Sequence, residues 1–103
     1  INGDFLEMLQ VPATPTYSPQ EAYPTSIYED NSAAGSVLKL RHIMAGHAGL
    51  FTALHDFLNP DPPRRALIVL KGNHDPEWYW PAVQNALRRR LDAVGPRERC
   101  LRF

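Results

Sequence analysis

Residues 66–75, ALIVLKGNHD, join an apolar run to a glycine-led polar tetrad. A continuous apolar run of this length, containing β-branched side chains, is typical of a strand buried on both faces of a largely parallel sheet. Gly72 ends the run and allows the backbone to turn sharply. The segment therefore predicts a strand whose following turn presents Asn73, His74 and Asp75 at the carboxyl edge of the sheet.

Residues 1–4, INGD, repeat this arrangement at the start of the chain, where an apolar strand end meets Gly3 and Asp4. Parallel strands open on the same edge of a sheet, so Asp4 and Asn73 are predicted to converge although 69 positions separate them. A carboxylate and an amide oxygen suit divalent cations, and the imidazole of His74 can bind metal or transfer a proton. An ordinary turn that begins a helix is the structural alternative for residues 73–76.

The remaining segments predict an α/β chain with the order strand, helix, strand, helix, strand over a single partial domain, residues 1–103. Apolar positions spaced three and four apart predict a helix over residues 36–58, which the prolines of residues 59–63 end. A second helix is predicted from Pro81 to Val94, and alternation in residues 99–103 suggests a last strand.

A loop rich in proline and tyrosine, residues 12–35, is predicted between the first strand and the long helix. Its prolines break regular elements, so the sequence favours a long irregular excursion.

The composition argues against a nucleic-acid partner and a membrane span, and it favours a reducing compartment. Lys and Arg total 11 and Asp and Glu total 11, so there is no net charge to attract a polyanion and no strong nucleic-acid signal. No apolar run approaches the roughly 20 residues that a membrane span needs. The single Cys100 cannot form an internal disulfide, which favours a reducing, cytoplasmic location.

Two motifs in this chain resemble signatures of the calcineurin-like metallophosphoesterase superfamily. GDFLE (residues 3–7) and GNHD (residues 72–75) look like its second and third motifs, GDxxD and GNHD/E, in the right order. The text around GNHD, from GHAGLFTALHDFL to LIVLKGNHDPEWYWPAVQNAL, also resembles bacterial members. The resemblance implies part of an α/β sandwich that hydrolyses a phosphate ester or anhydride with two divalent metal ions (Mn, Fe, Zn or Mg).

Carried over by position, the resemblance implies that Asp4 bridges the two cations and that Asn73 coordinates one of them. His74 would contact the phosphate or protonate the leaving oxygen, and Asp75 would orient its imidazole. Glu7 stands where the family pattern usually has Asp, so it is not assigned as a ligand. A phosphorylated small molecule or a nucleotide is the expected substrate.

The chain lacks the family's opening D-x-H motif and its closing His and G-H-x-H motifs. We therefore expect an interior segment of a phosphoesterase that is inactive when isolated. GHAG (residues 46–49) echoes the closing motif but precedes GNHD and lacks the second His. A non-catalytic binding or scaffolding module with a degenerate fold is the alternative, and a self-associating truncated domain is a third possibility.

Three other groups of residues have structural explanations that the sequence favours over functional ones. His47 lies on the apolar side of the predicted long helix, as a core histidine would. The aromatic residues 78–80 are expected to pack the loop onto the fold, with substrate stacking as the alternative. The run of arginines at residues 88–90 is interpreted as a solvated helix face.

Overall fold

A small parallel sheet and a set of helices form this protein, whose computed structural model describes residue 1 and residues 3–103. Asn2, which belongs to the first predicted turn, lies outside the described residues. The strands are β1 (Leu67–Ile68) and β2 (Leu101–Arg102). The α-helices are α1 (Thr25–Glu29), α2 (Ala33–Gly46), α3 (Ala48–Leu58) and α4 (Pro81–Arg90), and 3-10 turns cover Met8–Gln10, Pro76–Tyr79 and Gly95–Cys100.

The sheet brings the start of the chain beside β1. Strands β1 and β2 pair in parallel, with Leu67 opposite Leu101, and Val69 N donates to the Arg102 carbonyl at 2.8 Å. On the other edge of β1, Ile1 N donates to the Ile68 carbonyl at 2.6 Å, and Ile1 O accepts from Leu70 N at 2.9 Å. Alternate residues of a strand direct their backbone groups to opposite edges, so β1 lies between residue 1 and β2. The turns that follow residue 1 and β1 therefore leave the sheet at the same end.

The α/β expectation holds at the level of a mixed, helix-rich chain with a parallel sheet, but β1 differs from its prediction. The regular strand covers two residues rather than residues 66–70. Val69 is fully buried, whereas Ile68 and Leu70 are 46% and 50% exposed, so burial on both faces was wrong. Side chains alternate along a strand, and in this structure only the Val69 face meets the core.

The predicted helix over residues 36–58 is two helices with a break at His47, whose φ of −126° and ψ of 41° leave the helical range. Gly46 and Gly49 flank the break, and glycine lowers helix stability by up to about 1 kcal/mol. The N-terminus of α2 is capped by Ser32, whose side chain accepts from Gly35 N at 3.1 Å. His47 is exposed at the junction, so its interpretation as a core histidine was wrong.

The proline- and tyrosine-rich residues 12–35 are more ordered than predicted. They contain α1, and Ala13 N donates to the Ile27 carbonyl at 3.0 Å. The ring of Tyr23 lies 6.2 Å from that of Tyr17 and 6.4 Å from that of Tyr28. Packing between tyrosine rings and hydrogen bonds within the segment therefore order it together.

The core forms where α2 packs against α4, with the 3-10 turn Met8–Gln10 on α2 and the 3-10 turn Pro76–Tyr79 on α4. Its largest fully buried apolar side chains are Trp78, Phe51, Met8, Leu40, Leu87, Leu91, Leu101, Val69 and Val83. The packing role predicted for residues 78–80 is confirmed for Trp78, which is fully buried, and was wrong for Tyr79, which is 70% exposed. Among the described residues, no helix is long and apolar enough to cross a lipid bilayer.

The arginine run on α4 is less solvated than predicted. Arg88 donates to the carbonyls of Glu98 and Leu101, and its guanidinium lies 5.3 Å from the centre of the Phe103 ring. Arg90 donates to the Ala48 carbonyl at 3.3 Å. Only the middle arginine, Arg89, is exposed, because the helix turns its two neighbours toward other elements.

Candidate functional site

The two glycine-led turns touch each other at their glycines. Gly3 has a φ of 68°, in the left-handed region, and a Cβ added to it would lie 3.4 Å from Gly72 Cα. A Cβ added to Gly72 would overlap both the backbone nitrogen and the carboxylate of Asp4. Position 72 therefore has no room for a side chain, and this close approach is the physical reason for glycine there.

Asp4 is held at the point of contact between the turns. Its φ of 48° is also left-handed, which Asp tolerates better than most residues. Its Oδ1 accepts from His74 N at 2.9 Å, and its own backbone nitrogen donates to Asp75 Oδ1 at 3.1 Å. The exposed carboxylate is thus positioned by the second turn, which comes from a distant part of the sequence.

Asn73 faces the Asp4 carboxylate. One terminal atom of its amide lies 3.2 Å from both Asp4 oxygens. If that atom is nitrogen, the amide donates to the carboxylate; if it is oxygen, three oxygen atoms converge without a proton between them. The first orientation satisfies both groups, and a cation would need the second, so the two predicted ligand side chains are neighbours that hydrogen-bond to each other.

His74 takes Glu7 as its partner. Its Nδ1 lies 2.7 Å from Glu7 Oε2, and both side chains are partly exposed. The hydrogen bond to Glu7 raises the pKa of His74 above its ordinary value of 6.5, and the charges of Glu7 and Asp4 act in the same direction. The protonated imidazole is therefore favoured.

Asp75 has a different role from the predicted one. Its carboxylate is fully buried and accepts from three backbone nitrogens, those of Gly72 (2.8 Å), Asp4 (3.1 Å) and Leu6 (3.1 Å). It also accepts from Trp78 Nε1 at 3.0 Å. In this structure Asp75 therefore ties the two turns together, while the imidazole is held by Glu7.

The contribution of Glu7 was missed by reasoning from the sequence. Glu7 follows Asp4 by three residues, so it belongs to the segment that leaves the first turn, close to the second turn. Once the two turns were expected to converge, an acid at this position was a candidate partner for His74. Because Glu7 departs from the family pattern, the resemblance did not assign it a role.

The pKa of His74 can be measured by NMR titration of its imidazole in the presence of EDTA. We expect a pKa above 6.5 and expect Glu7→Gln to lower it, because the substitution removes both the acceptor and the charge. Since the folded state has the raised pKa, the protonated imidazole stabilises the fold below pH 6.5, and this contribution is lost as pH rises through the folded-state pKa.

The matched control for this titration is Glu21→Gln, which removes an exposed carboxylate elsewhere on the surface. It should leave the His74 titration unchanged. A wild-type pKa at or below 6.5, or a curve that Glu7→Gln does not move, would contradict the assigned pairing.

The donor set suits a hard divalent cation only in part. Asp4 and Asn73 offer oxygen ligands of the kind that Mg²⁺ and Mn²⁺ accept, and both are exposed. Asp75 is fully engaged by backbone and indole donors, so it is not available as a ligand. Within residue 1 and residues 3–103, no group of three or more His, Cys, Asp or Glu side chains converges as metal ligands would.

Comparison of the chain with protein-family models, with curated protein sequences and with solved structures found no match.

Proposed function

We propose that this chain carries part of the active site of a metal-dependent phosphoesterase, which hydrolyses a phosphate ester or anhydride of a small molecule or nucleotide. The main support is the contact between the two glycine-led turns. It brings a carboxylate (Asp4), a carboxamide (Asn73) and an imidazole (His74) from distant positions to one exposed place. The resemblance of GDFLE and GNHD to metallophosphoesterase motifs, with their α/β sandwich fold, supports the same proposal.

Asp4 and Asn73 are the proposed ligands of the two cations. Divalent cations supply Lewis acidity toward a phosphoryl oxygen and lower the pKa of water. The backbone nitrogen of His74 donates a hydrogen bond to Asp4 Oδ1, so Oδ2 is the carboxylate oxygen more available to a cation. Each hard cation takes about six ligands, so Asp4 and Asn73 alone do not complete the coordination of either cation.

His74 is the proposed general acid. Glu7 engages Nδ1 and raises the pKa of the imidazole, which keeps the ring protonated closer to neutral pH. Nε2 is then the ring nitrogen that can donate to a phosphate oxygen or to the departing oxygen. Glu7 acts in this scheme as a positioning residue, and Asp75 holds the turn on which the imidazole stands.

The proposal is tested by measuring hydrolysis of p-nitrophenyl phosphate and bis-p-nitrophenyl phosphate in Mn²⁺. Both this chain and the longest form of the protein that contains it should be assayed. We expect the longer form to release p-nitrophenol in a reaction that EDTA abolishes and added Mn²⁺ restores, and this chain by itself to release little or none, because Asp4 and Asn73 alone do not complete the cation sites. Absence of hydrolysis in every form would favour a binding or scaffolding module.

A cytoplasmic location accompanies this proposal. Cys100 is a free thiol and is buried, as expected for a packed cysteine in a reducing compartment.

A further inference from the structure

A pocket that shares no lining residue with the candidate site is formed by the segment after the second turn and by Asn31. It has a volume of about 260 Å³ and is lined by Asn31, Pro76, Glu77, Tyr79 and Trp80. Trp80 Nε1 donates to the Asn31 carbonyl at 2.8 Å, which ties the loop to the segment before α2. We propose that this pocket binds a small, soluble organic cation that carries a quaternary ammonium group.

The first argument is an unpartnered buried carboxylate. Glu77 is only 3% exposed and lines the pocket, yet its Oε2 is enclosed without a hydrogen-bond donor. Among residue 1 and residues 3–103, no Lys, Arg or His nitrogen lies within the 4.0 Å of an ion pair with Glu77. A buried carboxylate oxygen without a hydrogen-bond donor or a direct ion pair is costly, so a cation bound in the pocket would be stabilised by the charge of Glu77.

Lys39 does not satisfy this carboxylate. It is fully buried on α2, and its Nζ donates to the Tyr28 carbonyl at 2.6 Å. Burial lowers the pKa of Lys39, and the charge of Glu77 opposes that effect without direct contact. The ammonium group of Lys39 is thus directed to a backbone oxygen.

The aromatic walls of the pocket decide which cation fits. The rings of Tyr79 and Trp80 meet edge to face, with centroids 6.0 Å apart and planes at 72°, and so form a corner. Aromatic faces attract cations through their quadrupole and suit quaternary ammonium groups, which have no N–H that needs an acceptor. The Asn31 carbonyl already accepts from Trp80 Nε1, so most of the lining that faces a ligand is aromatic or apolar, from Pro76, Tyr79 and Trp80.

Binding is tested by following the Trp80 indole resonance in NMR titrations with choline and with 3,3-dimethyl-1-butanol, its uncharged counterpart of the same shape. We expect saturable binding of choline and binding of the alcohol weaker by about tenfold or more. Tyr79→Leu and Glu77→Gln should each weaken choline binding by about fivefold or more. Tyr79 is 70% exposed, so its replacement should not disturb the core.

Tyr17→Leu is the matched control, because Tyr17 is also exposed and does not line this pocket. Choline affinity should be unchanged in that variant. Equal affinity for choline and the alcohol, no saturation, or full affinity in Tyr79→Leu would each overturn the proposal. The titrations need no metal and no hydrolysis, so they are independent of the proposed phosphoesterase activity.

Discussion

Replacing Asp75 with alanine is expected to lower the free energy of unfolding by on the order of 3–5 kcal/mol. The buried carboxylate accepts from the backbone nitrogens of Gly72, Asp4 and Leu6 and from the Trp78 indole. Alanine would leave these donors without partners, and each unsatisfied buried donor costs about 1–3 kcal/mol, less where water can enter. Urea unfolding, monitored by circular dichroism and Trp fluorescence, measures the change.

Asp75→Asn should fall between wild type and alanine. Asparagine keeps the shape of the side chain and one acceptor oxygen. Its amide nitrogen, however, would face N–H groups that now donate to the second carboxylate oxygen. The matched control is Asp56→Ala, which removes an exposed acid whose side chain contacts the neighbouring His55. That substitution should cost no more than about 1 kcal/mol. A similar small loss for Asp75→Ala would show that its hydrogen bonds do not hold the turns.

The second large effect is expected in the hydrolysis assay. His74→Ala should lower kcat by about 10²–10⁴-fold, the usual contribution of a general acid. Asp4→Asn should lower both activity and Mn²⁺ affinity, because it removes the negative charge that two cations would share. Each variant should retain the circular dichroism spectrum of the wild type, since both side chains are exposed.

His55→Ala is the control for these variants, because His55 lies on α3 and contacts its neighbour Asp56 rather than either turn. It should keep the wild-type kcat and the same metal dependence. Activity within a factor of about two of wild type in both Asp4→Asn and His74→Ala would reject this site as the source of hydrolysis.

The two experiments separate architecture from chemistry. Asp75 contributes to stability through hydrogen bonds within the fold, and its loss should reduce activity only as far as the turns separate. His74 and Asp4 are exposed, so their loss should reduce activity with little effect on stability. If the Asp75 variant lost activity but not stability, or the His74 and Asp4 variants lost stability but not activity, the assigned roles would be wrong.

Local patterns in the sequence were enough to predict several elements. These patterns depend only on neighbouring residues. The apolar run before GNHD corresponds to β1, the prolines after Leu58 to the end of α3, and Pro81 to the start of α4. The meeting of Asp4 with Asn73 followed from one rule, that parallel strands open on a common edge. The helix break at His47 and the order within residues 12–35 depended on packing that periodicity does not encode.

By itself, the sequence predicted a glycine-led polar turn after the strand that became β1, and it predicted that Asp4 would lie beside Asn73 and His74. Only the tertiary structure decided which acid serves which donor. Asp75 is adjacent to His74 in sequence, yet it is buried against the backbone of the first turn, while Glu7, 67 positions away, holds the imidazole. The reason is physical: the partner of a carboxylate depends on which donors the packed chain leaves without water, and those donors come from segments distant in sequence.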